Sequence, residues 1–307
     1  MRTVLRGVSL ACVVVLAGCE DFDMGGIMDR YRDDFHYSYP LSAGGRLQVE
    51  NNNGSIEISG WDQNTVEIDG SKYASSESRL KEIRIDITQS ADEIRIRTVP
   101  PVDRHWNYGA RYVIRVPRRA ELANIVTSNG SIHVDGIEAP ARLKTTNGGI
   151  RASAIQGTLD ARTTNGPLEI SNVVGDTTLR TANGPIRADV KKGRFEAVTS
   201  NGSITARLID ADSNPVRLET SNGHIDLTMD AAREVHADTS NSSIVVRMPA
   251  SAGAMLRAHT SNSSISSDFD VSTRGSLSKH HLEGTIGSGG PLLDLGTSNG
   301  SIRILRL

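Results

Sequence analysis

The sequence predicts an all-β fold, a single-stranded parallel β-helix (β-solenoid) with rungs of about 18–21 residues and an antiparallel β cap at its N-terminal end. Three observations lead to this prediction. The phrase Thr-Ser-Asn-Gly-Ser-Ile recurs with small variations, its asparagines recur at a nearly constant spacing, and alternating apolar residues flank each copy. A fixed period of about 20 residues with short alternating strands and no helical pattern is typical of stacked rungs.

The asparagines of the phrase define the period. They are Asn129, Asn147, Asn165, Asn183, Asn201, Asn222, Asn241, Asn262 and Asn299. Stacked amides can bond donor to acceptor from rung to rung, so we interpret them as a structural ladder at a partly buried corner and not as a catalytic set. Where the asparagine is followed by glycine, the Asn-Gly dipeptide tolerates a positive φ and is expected to let the chain reverse direction. A second corner is expected near Gly136, Gly157, Gly175 and Gly193.

Two apolar columns indicate how the rungs stack. Four residues before the asparagines stand Ile125, Leu143, Ala161, Leu179, Ala197, Leu218, Ala237, Ala258 and Leu295, and three residues after them stand Ile or Leu. A meander of antiparallel hairpins around Asn-Gly is the competing interpretation. The columns favour a coil, because in-register stacking at about 4.8 Å places like residues over like residues. Large and small residues mostly alternate, as a narrow core requires.

The region before the regular repeats differs. Two alternating segments, Ile83–Ile87 and Ile94–Arg97, are separated by a short polar turn and predict an antiparallel hairpin. We assign residues 41–120 to a cap over the open edge of the first rung, and residues 121–307 to the solenoid. Residues 272–290 are expected to form a degenerate rung or an excursion. The arginines of the last strand, 302–307, are expected to discourage edge pairing.

The first residues have a targeting pattern. Arg2 and Arg6 precede an apolar run that ends in Leu16-Ala17-Gly18-Cys19. A run this short predicts a signal peptide and not a membrane span. The pattern resembles the bacterial lipoprotein signal, which implies cleavage before Cys19 and attachment of acyl chains such as palmitate. Residues 1–18 are then the signal and 19–40 an acidic tether. The protein is therefore expected to be anchored to a membrane of the cell envelope, with the outer membrane favoured over the inner membrane.

Composition argues against several classes of function. The formal net charge is −2 and no basic block is present, so nucleic acid is not an expected partner. Apart from Cys19, the chain after the signal contains no cysteine, which excludes disulfides, thiol nucleophiles and thiolate metal sites. His280-His281 with Glu283 is the closest approach to a metal site, but adjacent strand residues point to opposite faces. We therefore expect no metal and no cofactor.

Together, the motifs resemble a known family. The repeated phrase, the strand Val113–Pro117, and the closing segment Gly284–Gly289 followed by Leu293–Leu295 resemble the bacterial “putative adhesin” proteins with β-strand repeats, a class of domain of unknown function, in lipoprotein form. The resemblance covers roughly residues 45–305. It implies a β-helical envelope protein and supplies no catalytic residues.

The outward-facing charged residues do not form the carboxylate pattern of a glycoside hydrolase. Glycoside hydrolysis needs a pair of carboxylates. Instead, the column four residues after the asparagines alternates in sign through Arg151, Glu169 and Arg187, which predicts cross-rung ion pairs of about 0.2–1 kcal/mol each. We therefore predict a solvated charge ladder and no catalytic residues.

A candidate ligand surface is formed by stacked cations and aromatic residues. Lys144, Arg162 and Arg180 occupy one column three residues before the asparagines, and like charges at this spacing are destabilising unless anions or neighbouring acids compensate them. They predict a stripe for anionic glycans. Trp106 and Tyr108, on a loop after Pro100-Pro101, are a candidate sugar-stacking platform.

These inferences lead to a functional hypothesis. The chain is expected to be a non-enzymatic, lipid-anchored envelope protein whose solenoid presents an adhesion or interaction surface to an envelope glycan or protein. The alternative is a carbohydrate-active β-helix enzyme that acts on acidic polysaccharide. A passive spacer or assembly scaffold is a third interpretation.

Overall fold

The structure is a computed structural model, and it describes residues 31–102, 107–209, 214–273 and 278–307. One short helix, α1, spans Glu77–Glu82 within this part of the chain. The strands are β1 Tyr31–Pro40, β2 Arg46–Glu50, β3 Ile56–Trp61, β4 Thr65–Ala74, β5 Arg84–Gln89, β6 Glu93–Val99, β7 Tyr108–Pro117, β8 Glu121–Val126, β9 Ile132–Ile137, β10 Ala141–Lys144, β11 Ile150–Gln156, β12 Leu159–Arg162, β13 Leu168–Val174, β14 Thr177–Arg180, β15 Ile186–Lys192, β16 Phe195–Val198, β17 Ile204–Leu208, β18 Val216–Thr220, β19 Ile225–Met229, β20 Val235–Thr239, β21 Ile244–Met248, β22 Ala254–Thr260, β23 Ile265–Ser267, β24 Val271–Thr273, β25 His281–Ile286, β26 Leu292–Thr297 and β27 Ile302–Arg306.

The strands form two long sheets. Sheet A has the order β1-β4-β7-β3-β9-β11-β13-β15-β17-β19-β21-β27-β23, and sheet B the order β24-β25-β22-β26-β20-β18-β16-β14-β12-β10-β8-β2-β6-β5. Each regular rung consists of one strand of sheet B, the Asn-Gly corner and one strand of sheet A. The predicted parallel β-helix with an antiparallel cap is confirmed, and the meander is excluded for these strands because neighbouring rungs pair parallel.

The register follows the columns of the sequence. Leu143 pairs with Ala161 and Ala161 with Leu179, while Ile150 pairs with Leu168 on the other sheet. These side chains are fully buried between the sheets. Burial of each large apolar side chain contributes about 1.5–3 kcal/mol, so the stacked columns form the core that holds the two sheets together.

The N-terminal cap is built from antiparallel strands. The predicted hairpin is confirmed as β5 with β6, while β4 pairs with β7 and β1 with β4. The prediction of a tether up to residue 40 is wrong for Tyr31–Pro40, which form β1. Phe35, Tyr37 and Tyr39 recur at every second residue of this strand and pack against the end of the core. That period of two was the strand signal in the sequence.

At the N-terminal end, stack order differs from chain order. The first rung of the chain, β2 with β3, lies between the rung β6 with β7 and the rung β8 with β9. The segment 62–92, which contains β4, α1 and β5, connects this rung to the rung β6 with β7. The second rung stacks on the outer side of the first, at the N-terminal end. The region assigned to the cap therefore contains two parallel rungs.

At the C-terminal end, too, the order of the rungs in the stack differs from their order in the chain. The last rung of the chain, β26 with β27, is inserted between β20 with β21 and β22 with β23. Residues 272–290 are an excursion that contributes β25, antiparallel to β22 and β24. The expectation that the last strand is an edge is wrong, since β27 pairs on both sides. The insertion places Leu295 between Ala237 and Ala258, which restores the alternation of large and small core residues.

The two corners use glycine for different reasons. The second corner lies where it was predicted, and there Gly175 has a φ of +142°. The glycines of the regular Asn-Gly corners, such as Gly184, do not have positive φ, so the expectation that this φ lets the chain turn is wrong for them. A Cβ on Gly184 would lie 2.0 Å from the carbonyl oxygen of Gly166 in the neighbouring rung. Close approach of stacked backbones therefore excludes a side chain at this position.

Candidate interaction face

The asparagine corner is a continuous chain of amide hydrogen bonds. From Asn129 onward, each Nδ2 donates to the Oδ1 of the neighbouring asparagine at 2.7–2.8 Å, and Asn53, at the N-terminal end of this chain of bonds, only accepts within it. In stack order the members are Asn53, Asn129, Asn147, Asn165, Asn183, Asn201, Asn222, Asn241, Asn299 and Asn262. The corner is exposed from Asn129 onward, which corrects the expectation of partial burial. Water competes for exposed amides, so each bond contributes less than a buried one.

A column of buried threonines lies directly beneath the ladder. It comprises Thr127, Thr145, Thr163, Thr181, Thr199, Thr220, Thr239, Thr260 and Thr297. Each Oγ1 donates at 2.8–3.2 Å to a backbone carbonyl at the corner of the neighbouring rung. A buried carbonyl without a partner is costly, so these hydroxyls add to the backbone hydrogen bonds that hold adjacent rungs together.

The outer face of sheet B carries two charged columns, which together we call face B. Column one contains Lys144, Arg162, Arg180, Val198, Glu219, Asp238, Gly296 and His259 in stack order. Column two contains Arg142, Asp160, Thr178, Glu196, Arg217, His236, Asp294 and Arg257. In column one, charge changes sign along the axis: cations lie toward the N-terminal end and carboxylates toward the C-terminal end.

The basic half of face B contains the predicted stripe. Arg162 donates from Nε and Nη2 to the two carboxylate oxygens of Asp160 at 2.8 and 3.0 Å, and this bond holds the pKa of the guanidinium above its usual value. Arg180 bonds Glu196 at 2.7 Å. Lys144 has no ion-pair partner among the described residues. Neighbouring acids thus offset the repulsion within the stripe, while the guanidinium groups remain about half exposed.

The acidic half is organised around His236. Its Nε2 lies 2.8 Å from Asp238 and its Nδ1 lies 3.2 Å from Asp294, so carboxylates flank both ring nitrogens. On the neighbouring strand β18, Arg217 bonds Glu219 of the same strand. Burial raises the pKa of Asp238, and the nearby Asp294 and Glu219 add to this effect, while His236 and Arg217 oppose it. This cluster joins β18, β20 and the inserted strand β26.

A groove of about 560 Å³ runs between the acidic half and the asparagine corner. It is lined by Glu219, Asp238, His259 and serine hydroxyls of the corner. Gly296 leaves space for Asp238 here, because a Cβ on this glycine would lie 2.1 Å from the Asp238 Oδ1. The glycine therefore permits the carboxylate to lie across the inserted strand.

The alternating column on sheet A forms one ion pair. The Nε of Arg151 donates to Glu169 at 3.0 Å. Arg187 forms no ion pair with any described residue. The repeated charges on this face are therefore less coupled than those on face B.

Other predicted residues fall elsewhere. Tyr108 is only 5 % exposed and packs in a small cluster with Ala74, Leu80 and Ile83, so its assignment to a ligand surface is wrong. Trp106 and Cys19 lie outside the described residues. His281 and Glu283 approach to 3.6 Å, but no group of three or more potential metal ligands occurs in the described ranges. No described helix has the length and apolar character needed to span a membrane.

Comparison with known proteins identifies the family. The family model described as Toastrack DUF4097 matches residues 38–216, more than half of the chain. The chain belongs to this family. The Toastrack fold is a β-solenoid, in agreement with the two sheets described above. No protein of curated function matches the chain significantly.

Several solved structures are similar to this Toastrack chain. A “putative adhesin” from Parabacteroides merdae has a TM-score of 0.37 and 9 % identity, covering 89 % of this chain and 96 % of its own. A “putative adhesin” from Bacteroides fragilis has a TM-score of 0.28 and 11 % identity, covering 90 % and 97 %. A “putative cell adhesion protein” from Clostridium sporogenes has a TM-score of 0.22 and 12 % identity, covering 90 % and 100 %. Similarity at this level carries no inference about function.

Sequence reasoning missed the acidic half of face B in this Toastrack chain. Asp294 follows His236 by 58 residues, and only the insertion of β26 makes the two residues neighbours. One signal was available. Ala237 and Ala258 follow each other in the core column and interrupt its alternation, and a large residue between them, such as Leu295, restores it.

Proposed function

We propose that this protein is a non-enzymatic, lipid-anchored scaffold of the bacterial cell envelope that binds its partner through face B. The observation that carries the proposal is the arrangement of face B. Two columns rich in charged side chains run in register across eight adjacent parallel strands, and in column one three successive cations are followed, after Val198, by two successive carboxylates.

The backbone makes such a surface specific. Strands about 4.8 Å apart fix the spacing of the charges along the axis. Complementary charge on a rigid surface increases association rates and discriminates against partners of the wrong pattern. A partner of face B must therefore carry an acidic segment followed by a basic one, to complement the basic and the acidic half of the face. A uniformly charged polymer complements only one of the two halves.

The anchor would set the orientation of the scaffold. A lipid on Cys19 would be tied to the N-terminal end of the stack, because only residues 20–30 separate Cys19 from β1 and eleven residues can span at most about 40 Å. The N-terminal end of the solenoid would then face the membrane. Cys19→Ser should release the protein from the membrane fraction, and retention of the variant there would contradict the anchor.

The proposed binding surface can be tested by capture from envelope extract on immobilised full-length protein in mild detergent. The variant Arg162→Glu/Arg180→Glu reverses the basic half of face B. The matched control, Arg187→Glu/Arg303→Glu, reverses two exposed arginines on sheet A. We expect the face B variant to lose salt-sensitive capture and the control to retain it. Equal capture by wild type and both variants would contradict the assignment of face B.

One observation favours a carbohydrate-active enzyme as the second candidate. Glu219 and Asp238 occupy directly paired positions on adjacent strands, and the pKa of Asp238 is raised. Paired strands hold Cα atoms about 5 Å apart, similar to the carboxylate separation of retaining glycosidases. However, Arg217 and His236 already bind these carboxylates. Turnover of an acidic polysaccharide that disappears in both Glu219→Gln and Asp238→Asn would establish the enzyme. Binding without turnover would support the scaffold.

A further inference from the structure

We infer that the partner of face B is a second copy of this chain, packed face to face with its solenoid axis antiparallel. This inference rests on the proposed use of face B as a binding surface and specifies its occupant. The basis is partial self-complementarity. When each column is reversed about β16, Arg142, Arg162 and Arg180 each lie opposite a carboxylate of the other copy. Lys144 lies opposite Gly296, and Arg217 lies opposite Thr178.

The symmetry follows from the columns. A two-fold axis that runs along strand β16, between the facing sheets, reverses the stack direction but keeps the strand direction. Each column therefore meets its own copy in reverse order. In column one, Val198 meets Val198 on the axis, Arg180 meets Glu219, and Arg162 meets Asp238. A closed dimer of this kind uses the same surface on both copies, as isologous interfaces do.

Column two agrees with the same axis. Arg142 meets Asp294 and Asp160 meets His236. Glu196 meets its own copy on the axis, but Arg180 already binds each of these carboxylates. The two columns were not constrained to agree, so their common centre is a second observation in favour of the antiparallel pair.

Other arrangements fit less well. In a parallel arrangement with the axis on column one, cation meets cation and carboxylate meets carboxylate along that column. With the axis between the two columns, each strand meets its own copy, which opposes Lys144 to Arg142 and leaves three kinds of basic-on-acidic contact, one fewer than the antiparallel arrangement. When the antiparallel copies shift by one strand toward the C-terminal end, Asp160 meets Asp294 and Arg142 meets Arg257. A shift by one strand toward the N-terminal end overlaps all fourteen strands, but it retains only three kinds of basic-on-acidic contact and places Arg142 opposite His236. The centre at β16 gives four kinds of basic-on-acidic contact and is therefore favoured.

The overlap is large enough for an interface. In sheet B, six strands lie on one side of β16 and seven on the other, so the copies cover each other over nearly the whole sheet. Thirteen overlapping strands at about 4.8 Å and a width of four residues at about 3.3 Å each give about 800 Å² per copy, the size of a standard interface. The surface is mostly polar, which makes the association weak and salt-sensitive.

The antiparallel arrangement has a consequence for adhesion. Strand β1 lies at one end of sheet A, so the two copies of β1 lie at opposite ends of the pair. If each chain is anchored through Cys19, the two anchors belong to two different membranes that face each other. The pair would then link two envelopes through identical molecules.

Thiol cross-linking on the symmetry axis tests the geometry directly. Val198→Cys is introduced into the full chain with Cys12→Ser and Cys19→Ser, so that it is the only thiol. Facing sheets are about 10 Å apart, so a bismaleimide of similar length can join the two copies. The control is Val113→Cys, because Val113 is 48 % exposed on sheet A. At low salt in mild detergent, we expect the Val198→Cys chain to form dimers at least tenfold faster than the control.

Charge reversal then tests the register. In the Val198→Cys background, Arg162→Asp and Asp238→Arg should each slow cross-linking by roughly tenfold, since each creates two like-charge contacts in the pair. The combination Arg162→Asp/Asp238→Arg restores opposite charges and should restore the rate. Circular dichroism verifies that each variant is folded. Salt at about 1 M should abolish the difference between Val198→Cys and the control.

The outcomes separate this inference from the proposed function. Equal cross-linking of Val198→Cys and Val113→Cys, or fast cross-linking that survives single charge reversal in a folded variant, would overturn the antiparallel pair. If envelope capture still depends on face B in that case, the scaffold remains and its partner is a different molecule. If cross-linking follows the charges but extract capture does not, self-association remains and the broader envelope partner is wrong.

Discussion

The middle of the solenoid and its two ends follow different rules. From β10 to β19 the order of rungs in the chain is their order in the stack, and each rung takes up 18–21 residues. At each end the chain makes an excursion, 62–92 or 268–291, and two rungs exchange places. Repeated columns thus specify that a rung stacks in register. The length of the connection decides which neighbour it meets, because a short corner reaches only the next position.

The exchange at the C-terminal end changes burial. The inserted rung contains Leu293, Leu295, Ile302 and Ile304, all fully buried between two other rungs. In contrast, the outermost strand of sheet A is the three-residue β23, whose Ile265 is only partly buried. The exchange therefore moves an apolar rung inward and leaves short strands at the edges, and short edge strands limit pairing with other chains.

The largest expected effect comes from removal of the inserted rung. Deletion of residues 291–307 removes four fully buried side chains, whose burial is worth up to about 6–12 kcal/mol, and leaves β20 and β22 without their shared neighbour. We expect amides of β20 and β22 to lose protection in hydrogen exchange while β12 to β16 keep it. Unchanged protection in β22 would contradict the inserted topology. Arg303→Ser, an exposed change in the same rung, serves as the control.

The close contact between backbones in the middle predicts the next largest effect. Gly184→Ala places a Cβ 2.0 Å from a carbonyl oxygen of the neighbouring rung, so the rungs must separate. We expect a loss of about 3 kcal/mol in the free energy of unfolding, measured by chemical denaturation. Gly149→Ala, where the nearest atoms belong to a proline ring at 3.2 Å, should lose clearly less. Equal losses would show that backbone contact does not limit the corner.

The two polar columns of the middle rungs can be ranked within one rung. Thr181→Val keeps the shape of a buried side chain but leaves the Gly166 carbonyl unpaired, so a loss of about 1–3 kcal/mol is expected. Asn183→Ala removes an exposed amide, whose neighbours can bond water instead, and should lose about 0.5–1 kcal/mol. Thermal and urea unfolding of both variants would measure the order. A larger loss for Asn183 would show that the exposed ladder dominates.

The smallest effect concerns the contact between β20 and the inserted β26. Because burial raises the pKa of Asp238, the folded state binds this proton more tightly than the unfolded state. The resulting stability is present below the ordinary aspartate pKa of about 3.9 and is lost as pH rises through the raised pKa. Asp238→Asn should therefore gain about 0.5 kcal/mol at pH 7, since the residue is half exposed, and lose this advantage near pH 3.5.

Urea denaturation at both pH values measures this difference. Asp226→Asn is a suitable control on the other sheet, because Asp226 bonds Arg247 and does not contact the inserted strand. A lower stability of Asp238→Asn at pH 7 would mean that the contact with His236 outweighs the burial of the carboxylate.

The amino-acid sequence by itself determined the rung, its period and its inward columns. The core could be predicted from residues such as Leu143, Ala161 and Leu179, because alternation along a strand fixes which side chains face inward and the pattern repeats in every rung. Period-two aromatics also encode β1, although they lie within the segment assigned to the tether. The sequence also shows that glycine recurs at the position of Gly184. The reason is contact with the backbone of the neighbouring rung, which only the structure shows.

Tertiary structure alone decided the order of the rungs at the ends and, with it, the acidic half of face B. His236 and Asp294 become neighbours because a rung that leaves the stack through a long excursion can return at any open edge of matching register. Local sequence preferences are equal for every such position. The packing of whole rungs selects the position of the inserted rung, because Leu295 fits between Ala237 and Ala258. This position also leaves short strands at the C-terminal edges of the sheets.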